Sequence, residues 1–166
     1  MNTFIKTIAF STLATSLNVA ATISVDDTEQ TSFDIGGEIL PECKVNRTQA
    51  NGATSLDLAS TNSQDVASVE IWCNTGQGTA NTTYSSANGG VLKNDTHSGK
   101  DIGYLLDISD TATGLSLTSD QEVNQSSGSD VKGDSVAKTV SIRPQVSGFE
   151  YEGSYSDTIT VTVSYN

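Results

Sequence analysis

The sequence is poor in positive charge, and this shortage excludes one class of partner. Only 8 residues are Lys or Arg, against 20 Asp or Glu, so the formal net charge is −12. A surface of that sign repels nucleic-acid phosphates and anionic membranes. We therefore expect no nucleic-acid partner. The acidity fits either the solubility of a secreted protein or a salty medium that screens charge repulsion, and composition does not separate these two explanations.

Residues that carry catalysis or bind metals are equally scarce. His97 is the single histidine, and the sequence has no Gly-x-Ser-x-Gly motif, so a Ser/His/Asp triad has little basis. Two cysteines and one histidine do not provide the four ligands of a zinc site. The glycines in "GQG" and "NGG" are typical of turns, because no helix pattern follows them. We expect neither an enzyme nor a bound cofactor or metal.

The N-terminal stretch "MNTFIKTIAFSTLATSLNVAA" has the features of a signal peptide. It carries Lys6, then an apolar run mixed with Ser and Thr, and it ends in small residues. It is too short and too interrupted for a membrane span of ~20 apolar residues. We predict a signal peptide over residues 1–21, export of the chain and no membrane span after cleavage. The alternative is a core helix.

Cys43 and Cys73 are the two cysteines of the chain, and both lie after the predicted cleavage site. Cysteines that reach an oxidising compartment usually pair. The closed loop of about 30 residues would stabilise the fold by roughly 3–4 kcal/mol in the chain-entropy model. Two buried free thiols are the alternative.

Short alternating segments separated by Ser, Thr, Asn, Gly and Asp are typical of an all-β sandwich, and no long amphipathic helix is indicated. In "VASVEIWC", Val69, Ile71 and Cys73 are expected to face inward and Trp72 outward. The predicted strands are 32–40, 54–59, 66–73, 82–87, 101–109, 114–118, 136–144 and 155–165.

The two ends of the exported chain carry the most informative patterns. Apolar residues and one glycine occupy odd positions after the cleavage site: Ile23, Val25, Phe33, Ile35 and Gly37. At the other end, "GSYSDTITVTVSYN" places Ile159, Val161, Val163 and Tyr165 on one face of a strand. Because no further strand follows it in the sequence, we expect this strand to have an unpaired edge that invites another chain.

These residues resemble the pilin subunits of chaperone–usher pili, in the archaic branch that shares the spore coat U domain. A glycine fourteen residues from the end and a penultimate Tyr form the C-terminal signature of that family, and here they are Gly153 and Tyr165. "FDIGGEILPECKV" and "VASVEIWCNTG" are similar to the segments around the two pilin cysteines. The resemblance covers nearly the whole exported chain.

The resemblance implies an immunoglobulin-like Greek-key sandwich that lacks its last strand and is completed by donor-strand exchange. Residues 22–35 would be the donor arm, and residues 36–166 the pilin domain. A disulfide between Cys43 and Cys73 would join the first two strands. The arm residues that would enter a neighbour are Ile23, Val25, Phe33, Ile35 and Gly37, and the groove that receives them would be formed by Gly153, Tyr155, Ile159, Val161, Val163 and Tyr165.

The implied function is that of a fimbrial shaft subunit that serves adhesion or biofilm formation. Its partners would be identical or related pilins, a periplasmic chaperone and an outer-membrane usher, and the fibre would stand on the cell surface. Two alternatives stay open. One is a secreted carbohydrate-binding module, for which the candidate aromatic residues are Trp72, Tyr84, Tyr104, Phe149, Tyr151 and Tyr155. The other is a protective spore or cell coat protein.

Overall fold

The structure, a computed structural model, describes residues 30–166. The predicted signal peptide and the arm residues Ile23 and Val25 lie outside the described residues. The chain divides into two compact units, Met1–Glu38 and Ile39–Asn166. Residues 30–38, the described part of the first unit, form neither helix nor strand, and the side chains of Phe33 and Ile35 are 84% and 87% exposed.

The second unit consists of ten strands, and the prediction of an all-β sandwich is confirmed. The strands are β1 (Cys43–Gln49), β2 (Gln64–Cys73), β3 (Thr79–Ser86), β4 (Val91–Asn94), β5 (Ile102–Ile108), β6 (Ala112–Leu115), β7 (Gln121–Ser126), β8 (Val136–Gln145), β9 (Tyr155–Ser156) and β10 (Ile159–Ser164). A seven-stranded sheet has the order β1-β2-β8-β5-β4-β9, with β6 paired to β5. A three-stranded sheet has the order β10-β3-β7, and every pairing between strands is antiparallel.

The core lies between the two sheets and follows from the alternation of side chains along each strand. In β2, Val69, Ile71 and Cys73 are buried as predicted, and Trp72 falls on the opposite face. The small sheet contributes Ala80, Tyr84 and Leu117 from β3 and the loop before β7. The remaining buried apolar residues come from β4, β5 and β8, and they are Leu92, Ile102, Tyr104, Leu106, Ile108, Val140 and Ile142.

Two strand predictions are wrong. Residues 32–40 alternate like a strand, but they pair with no strand of residues 30–166, and without such pairing alternation alone forms no strand. Residues 54–59 form turns instead, because Asp57 accepts hydrogen bonds from the backbone N–H of Ala59 and of Ser60. Leu56 and Leu58 of that segment still pack against the core.

Three strands of at least four residues lie where the sequence predicted none, namely β1, β4 and β7. Most positions of β1 and β7 are polar or charged, and β4 has only four residues, so hydrophobic periodicity gave no signal. The segment YSDTITVTVSY, predicted as one strand over 155–165, is divided into β9 and β10. The break falls at Asp157, whose side chain accepts the backbone N–H of Thr158.

Candidate strand-binding groove

The last strand, β10, lies at the edge of the three-stranded sheet. It pairs with β3 on one side, in a register that places Ile159 opposite Ser86 and Val163 opposite Thr82. No strand of residues 30–166 pairs with its other side. Its burial alternates as the sequence predicted, with Ile159, Val161 and Val163 packed against the core and the intervening residues exposed.

The backbone of β10 offers hydrogen-bonding groups along this open side. The N–H of Ala87 donates to the carbonyl of Thr158 at 2.9 Å, which continues the β3–β10 ladder. In antiparallel pairs, residues that exchange hydrogen bonds alternate with residues that do not. The N–H and C=O groups of Ile159, Val161 and Val163 therefore point away from β3, where a further strand would bind them.

Strand β1 is uncovered on the side that should face the core. Val45, Arg47 and Gln49 lie directly opposite Ile71, Val69 and Ala67 of β2, so both sets of side chains share the inner face of the large sheet. Ile71 and Val69 are 1% exposed, whereas Val45 is 40% exposed and Arg47 and Gln49 are exposed as well. Arg47 and Gln49 therefore line an open groove rather than a closed core.

Between these two edges runs a groove of about 650 Å³ that reaches the hydrophobic core. Its floor is apolar, with Val69, Leu92, Val140 and Ile142 from the large sheet. Its walls are β1 with the loop that carries Leu56 and Leu58 on one side, and residues 154–159 with Val161 on the other. Because a strand rises about 3.3 Å per residue, the six residues of β10 give an edge about 20 Å long. That length suits a strand of about six residues.

One end of the groove is fixed by the carboxylate of Asp157. It accepts hydrogen bonds from the hydroxyls of Tyr104 and Ser86, both at 2.6 Å, and from the backbone N–H of Asn88 and of Thr158. Burial and the hydrogen bond to Asp157 raise the pKa of Tyr104 well above the usual range of a phenol. The Tyr104 hydroxyl therefore stays protonated and holds the start of β10 against β5.

Gly153, the first residue of the C-terminal signature, lies at the approach to β9. Its φ of +138° is a conformation that residues with a side chain rarely adopt. A Cβ atom at this position would come within 2.5 Å of Asn94 Oδ1. The Asn94 side chain donates to the carbonyl of Glu152 at 3.1 Å and accepts the N–H groups of Thr96 and His97. Only glycine allows this contact between the two segments.

The start of β1 is held to β2 by covalent and polar contacts. The predicted disulfide between Cys43 and Cys73 is present, with the sulfurs 2.00 Å apart, and it joins directly opposed residues of the two strands. The side chain of Asn74 accepts the N–H of Glu42 and donates to the carbonyl of Leu40, both at 2.8 Å. The N–H of Asn74 donates to the carbonyl of Glu42 at 3.0 Å. The chain is therefore anchored from Leu40 onward.

The structure brings some of the sequence-predicted groove residues together and separates others. Tyr155, Ile159 and Val161 line the groove, and Val163 packs against the core beyond it. Tyr165 follows β10 and is 52% exposed. Gly153 lies outside the groove and shapes the turn before it. Of the arm residues, Phe33, Ile35 and Gly37 are exposed.

The residues that sequence reasoning missed are those of β1 and the groove floor. Arg47 and Gln49 lie in a segment, "CKVNRTQ", that has little apolar character. Its one signal was Cys43, since a disulfide-bonded residue lies close to the strand of its partner. From the sequence, Val140 and Ile142 fall in a predicted strand and Leu92 falls between predicted strands. That all three line the floor of one groove depends on strand order.

Residues 30–166 show neither a candidate metal site nor a candidate membrane-spanning helix. Within residues 30–166, His, Cys, Asp and Glu side chains form no group of three or more that would hold a metal ion. The same residues contain no helix with the length and hydrophobicity that crossing a bilayer requires. A shallow depression of about 460 Å³ lies beside Trp72, whose Nε1 donates to the carbonyl of Asp130 at 2.9 Å.

No protein-family model matches the chain, and no curated protein matches it.

Proposed function

We propose that the protein is the structural subunit of a surface fibre, a pilus or fimbria, that assembles by donor-strand exchange. In this proposal the sandwich is immunoglobulin-like and lacks its last strand. The arm of one copy fills the groove of the next copy. The fibre serves adhesion or biofilm formation.

The observation that carries the proposal is that the open edge of β10 lies beside a groove that reaches the hydrophobic core. Unpaired backbone groups along a regular strand are a template for another chain. Exposed apolar surface beside that strand provides the free energy of association, because burying it removes it from water. One strand bound between β10 and β1 would satisfy both, and its side chains would cover half-buried apolar residues that line the groove, namely Leu56, Leu58, Val66, Ile159 and Val161.

The arm of a second copy is the occupant that the sequence supports best. Phe33 and Ile35 share one parity, are 84% and 87% exposed, and form no strand within the described residues. An alternating apolar segment without a partner fits a groove that needs one strand. Because the arm and the groove are different surfaces, the contact between copies is heterologous and does not close, so it generates a fibre.

Assembly of such a subunit requires partners that occupy the groove before the next copy does. A periplasmic chaperone would first pair with β10, since an open edge in a crowded compartment is prone to aggregation. An outer-membrane usher would then exchange the chaperone strand for the arm. The protein would be exported through the periplasm and end on the cell surface, and the disulfide is consistent with an oxidising compartment.

The competing proposal of a carbohydrate-binding module needs several exposed aromatic side chains on one face. Of the six aromatic candidates, Tyr84 and Tyr104 are buried in the core, with 0% and 3% exposure. The ring nitrogen of Trp72 already donates to Asp130. These observations favour the fibre subunit over the binding module. A coat protein that uses the same domain differs from a pilin by having no chaperone and usher.

The test compares the exported full-length chain with a variant that lacks residues 22–35. We expect the full-length protein to form SDS-resistant, heat-labile oligomers or thin fibres, as seen by size-exclusion chromatography and negative-stain electron microscopy. The shortened chain should still bind the chaperone but should not act as a donor. A matched pair of full-length variants, Phe33→Ser with Ile35→Ser against Thr31→Ala with Ser32→Ala, separates insertion of apolar side chains from mere presence of the arm.

Two results would contradict the proposal. One is normal fibre growth by the shortened chain. The other is a full-length chain that stays monomeric and melts at the same temperature as the shortened one, because the sandwich would then be complete without the arm.

A further inference from the structure

Arg47 brings a positive charge to a groove that is otherwise apolar or polar. It lies opposite Val69 in the β1–β2 pair and therefore on the inner face of the sheet. Among the residues that line the groove, it is the one Lys or Arg side chain. A guanidinium beside an apolar floor is costly to cover unless the incoming group compensates its charge.

Within residues 30–166, Arg47 has no acidic partner. The ion pairs of this part of the chain are Lys44–Glu42, Lys138–Asp110 and Arg143–Asp107. The Nη1 atom of Arg47 has one long contact, to Gln49 Oε1 at 3.4 Å. Asp157 is the acidic residue lining the groove, and its carboxylate already accepts four hydrogen bonds from nearby groups. The charge of Arg47 is therefore uncompensated by any carboxylate of residues 30–166.

The segment that we propose as occupant is acidic throughout. Residues 22–38, which are the arm and the three residues after it, contain no Lys or Arg. They contain five carboxylates, Asp26, Asp27, Glu29, Asp34 and Glu38. Two copies with such an excess of acidic residues repel each other, so a local contact of opposite sign matters for their encounter.

We propose that Arg47 selects the acidic arm of a second copy by forming an ion pair with one of its carboxylates when the arm enters the groove. This inference rests on the proposed function and names the partner chemistry at that same site. Asp27 and Glu29 share the parity of Phe33 and Ile35, so a strand that turns those apolar side chains toward the groove also turns these carboxylates toward it. The acidic residues that interrupt the apolar pattern of the arm thereby acquire a role in recognition.

The pair acts on the rate and specificity of assembly more than on the stability of the subunit. Complementary charges across an interface raise association rates in a salt-dependent way. We expect Arg47→Glu to slow oligomer formation by the full-length chain roughly tenfold at low ionic strength, with a smaller difference at high salt. The assembly rate of Arg47→Gln should lie between those of Arg47→Glu and the parent chain. Lys132→Glu changes an exposed lysine outside the groove by the same charge, and it should leave the relative rate of assembly closer to that of the parent chain.

A charge exchange within one chain identifies the carboxylate. Arg47→Glu is combined in turn with Asp26→Lys, Asp27→Lys, Glu29→Lys, Asp34→Lys or Glu38→Lys, because each copy supplies both a groove and an arm. Restoration of the rate by one of these substitutions, but not by the others, supports the pair and names the residue. The melting temperature of each variant, measured before assembly, shows whether the fold is intact.

Failure of this inference is distinguishable from failure of the proposed function. Assembly that depends on the arm but is equally fast in Arg47→Glu and in the parent chain overturns the ion pair alone. The ion pair is also overturned if Lys132→Glu slows assembly as much as Arg47→Glu does and no arm substitution restores the rate. Absence of arm-dependent assembly in the parent chain overturns both.

Discussion

Strands β1 and β2 are joined by a disulfide and lie in register, yet their inner faces differ sharply in exposure. Ile71 on β2 is 1% exposed, and Val45, its cross-strand neighbour on β1, is 40% exposed. Both side chains point toward the second sheet. The difference arises because that sheet has only three strands and ends at β10. A strand bound beside β10 would cover the inner face of β1 at Arg47 and Gln49.

The comparison shows that a sandwich can be stable over most of its core and open along one edge. Residues of β2, β5 and β8 form a closed interior. Strands β1 and β10 are each paired on one side only within the described part of the chain. Substitutions on the closed side should therefore change the stability of the subunit, whereas substitutions on the open side should change what the subunit binds.

The disulfide gives the largest expected effect, because β1 is held to the fold from one side only. Replacing Cys43 and Cys73 by Ser should lower the free energy of unfolding by about 3–4 kcal/mol, as the chain-entropy model gives for a loop of this length. Urea denaturation of the variant and of the parent chain, with and without reductant, measures this. Equal midpoints for oxidised and reduced parent protein would show that β1 needs no crosslink.

A pair of alanine substitutions tests the closed and open sides directly. Ile71→Ala should lower the free energy of unfolding of the isolated subunit by about 3 kcal/mol, because it leaves a cavity in a fully buried site. Val161→Ala, in the half-buried wall of the groove, should cost about 1 kcal/mol. In assembled oligomers the cost of Val161→Ala should rise. Equal costs for the two variants in the isolated subunit would mean that the groove is already filled.

The smallest expected effect is a pH dependence that belongs to the closed side. Burial acts to raise the pKa of Asp107, but hydrogen bonds from Arg143 and from the N–H of Gly114 lower it overall. A carboxyl with a depressed folded pKa contributes stability above its unfolded pKa of about 4, and this is lost as the pH falls through the folded pKa. Asp107→Asn should flatten the stability profile of the subunit below about pH 4 and leave oligomer formation at neutral pH unchanged. A parent profile that Asp107→Asn does not alter would contradict this.

The sequence predicted the closed side better than the open side. Alternation located most of β2, β5, β8 and β10, because those strands have one apolar face against the core. It missed β1, whose inner face carries Arg47 and Gln49, since an uncovered strand does not need apolar residues. It assigned a strand to residues 32–40, which have strand periodicity but no neighbouring strand in the described chain.

The candidate site was predicted in part for the same reason. The apolar face of β10 follows from local sequence, and the presence of only two cysteines in the chain already favoured their pairing. The groove floor and the position of Arg47 depend on which strands become neighbours. Strand order is a non-local property that periodicity does not encode.

Amide hydrogen exchange along β10 tests the central claim most directly. The backbone groups of Ile159, Val161 and Val163 point to the open edge, and those of Thr160 and Thr162 point to β3. We predict rapid exchange at the first three amides and slow exchange at the other two in the isolated subunit, with the first three becoming protected on assembly. Protection of all five amides in the isolated subunit, or no change on assembly, would contradict the account.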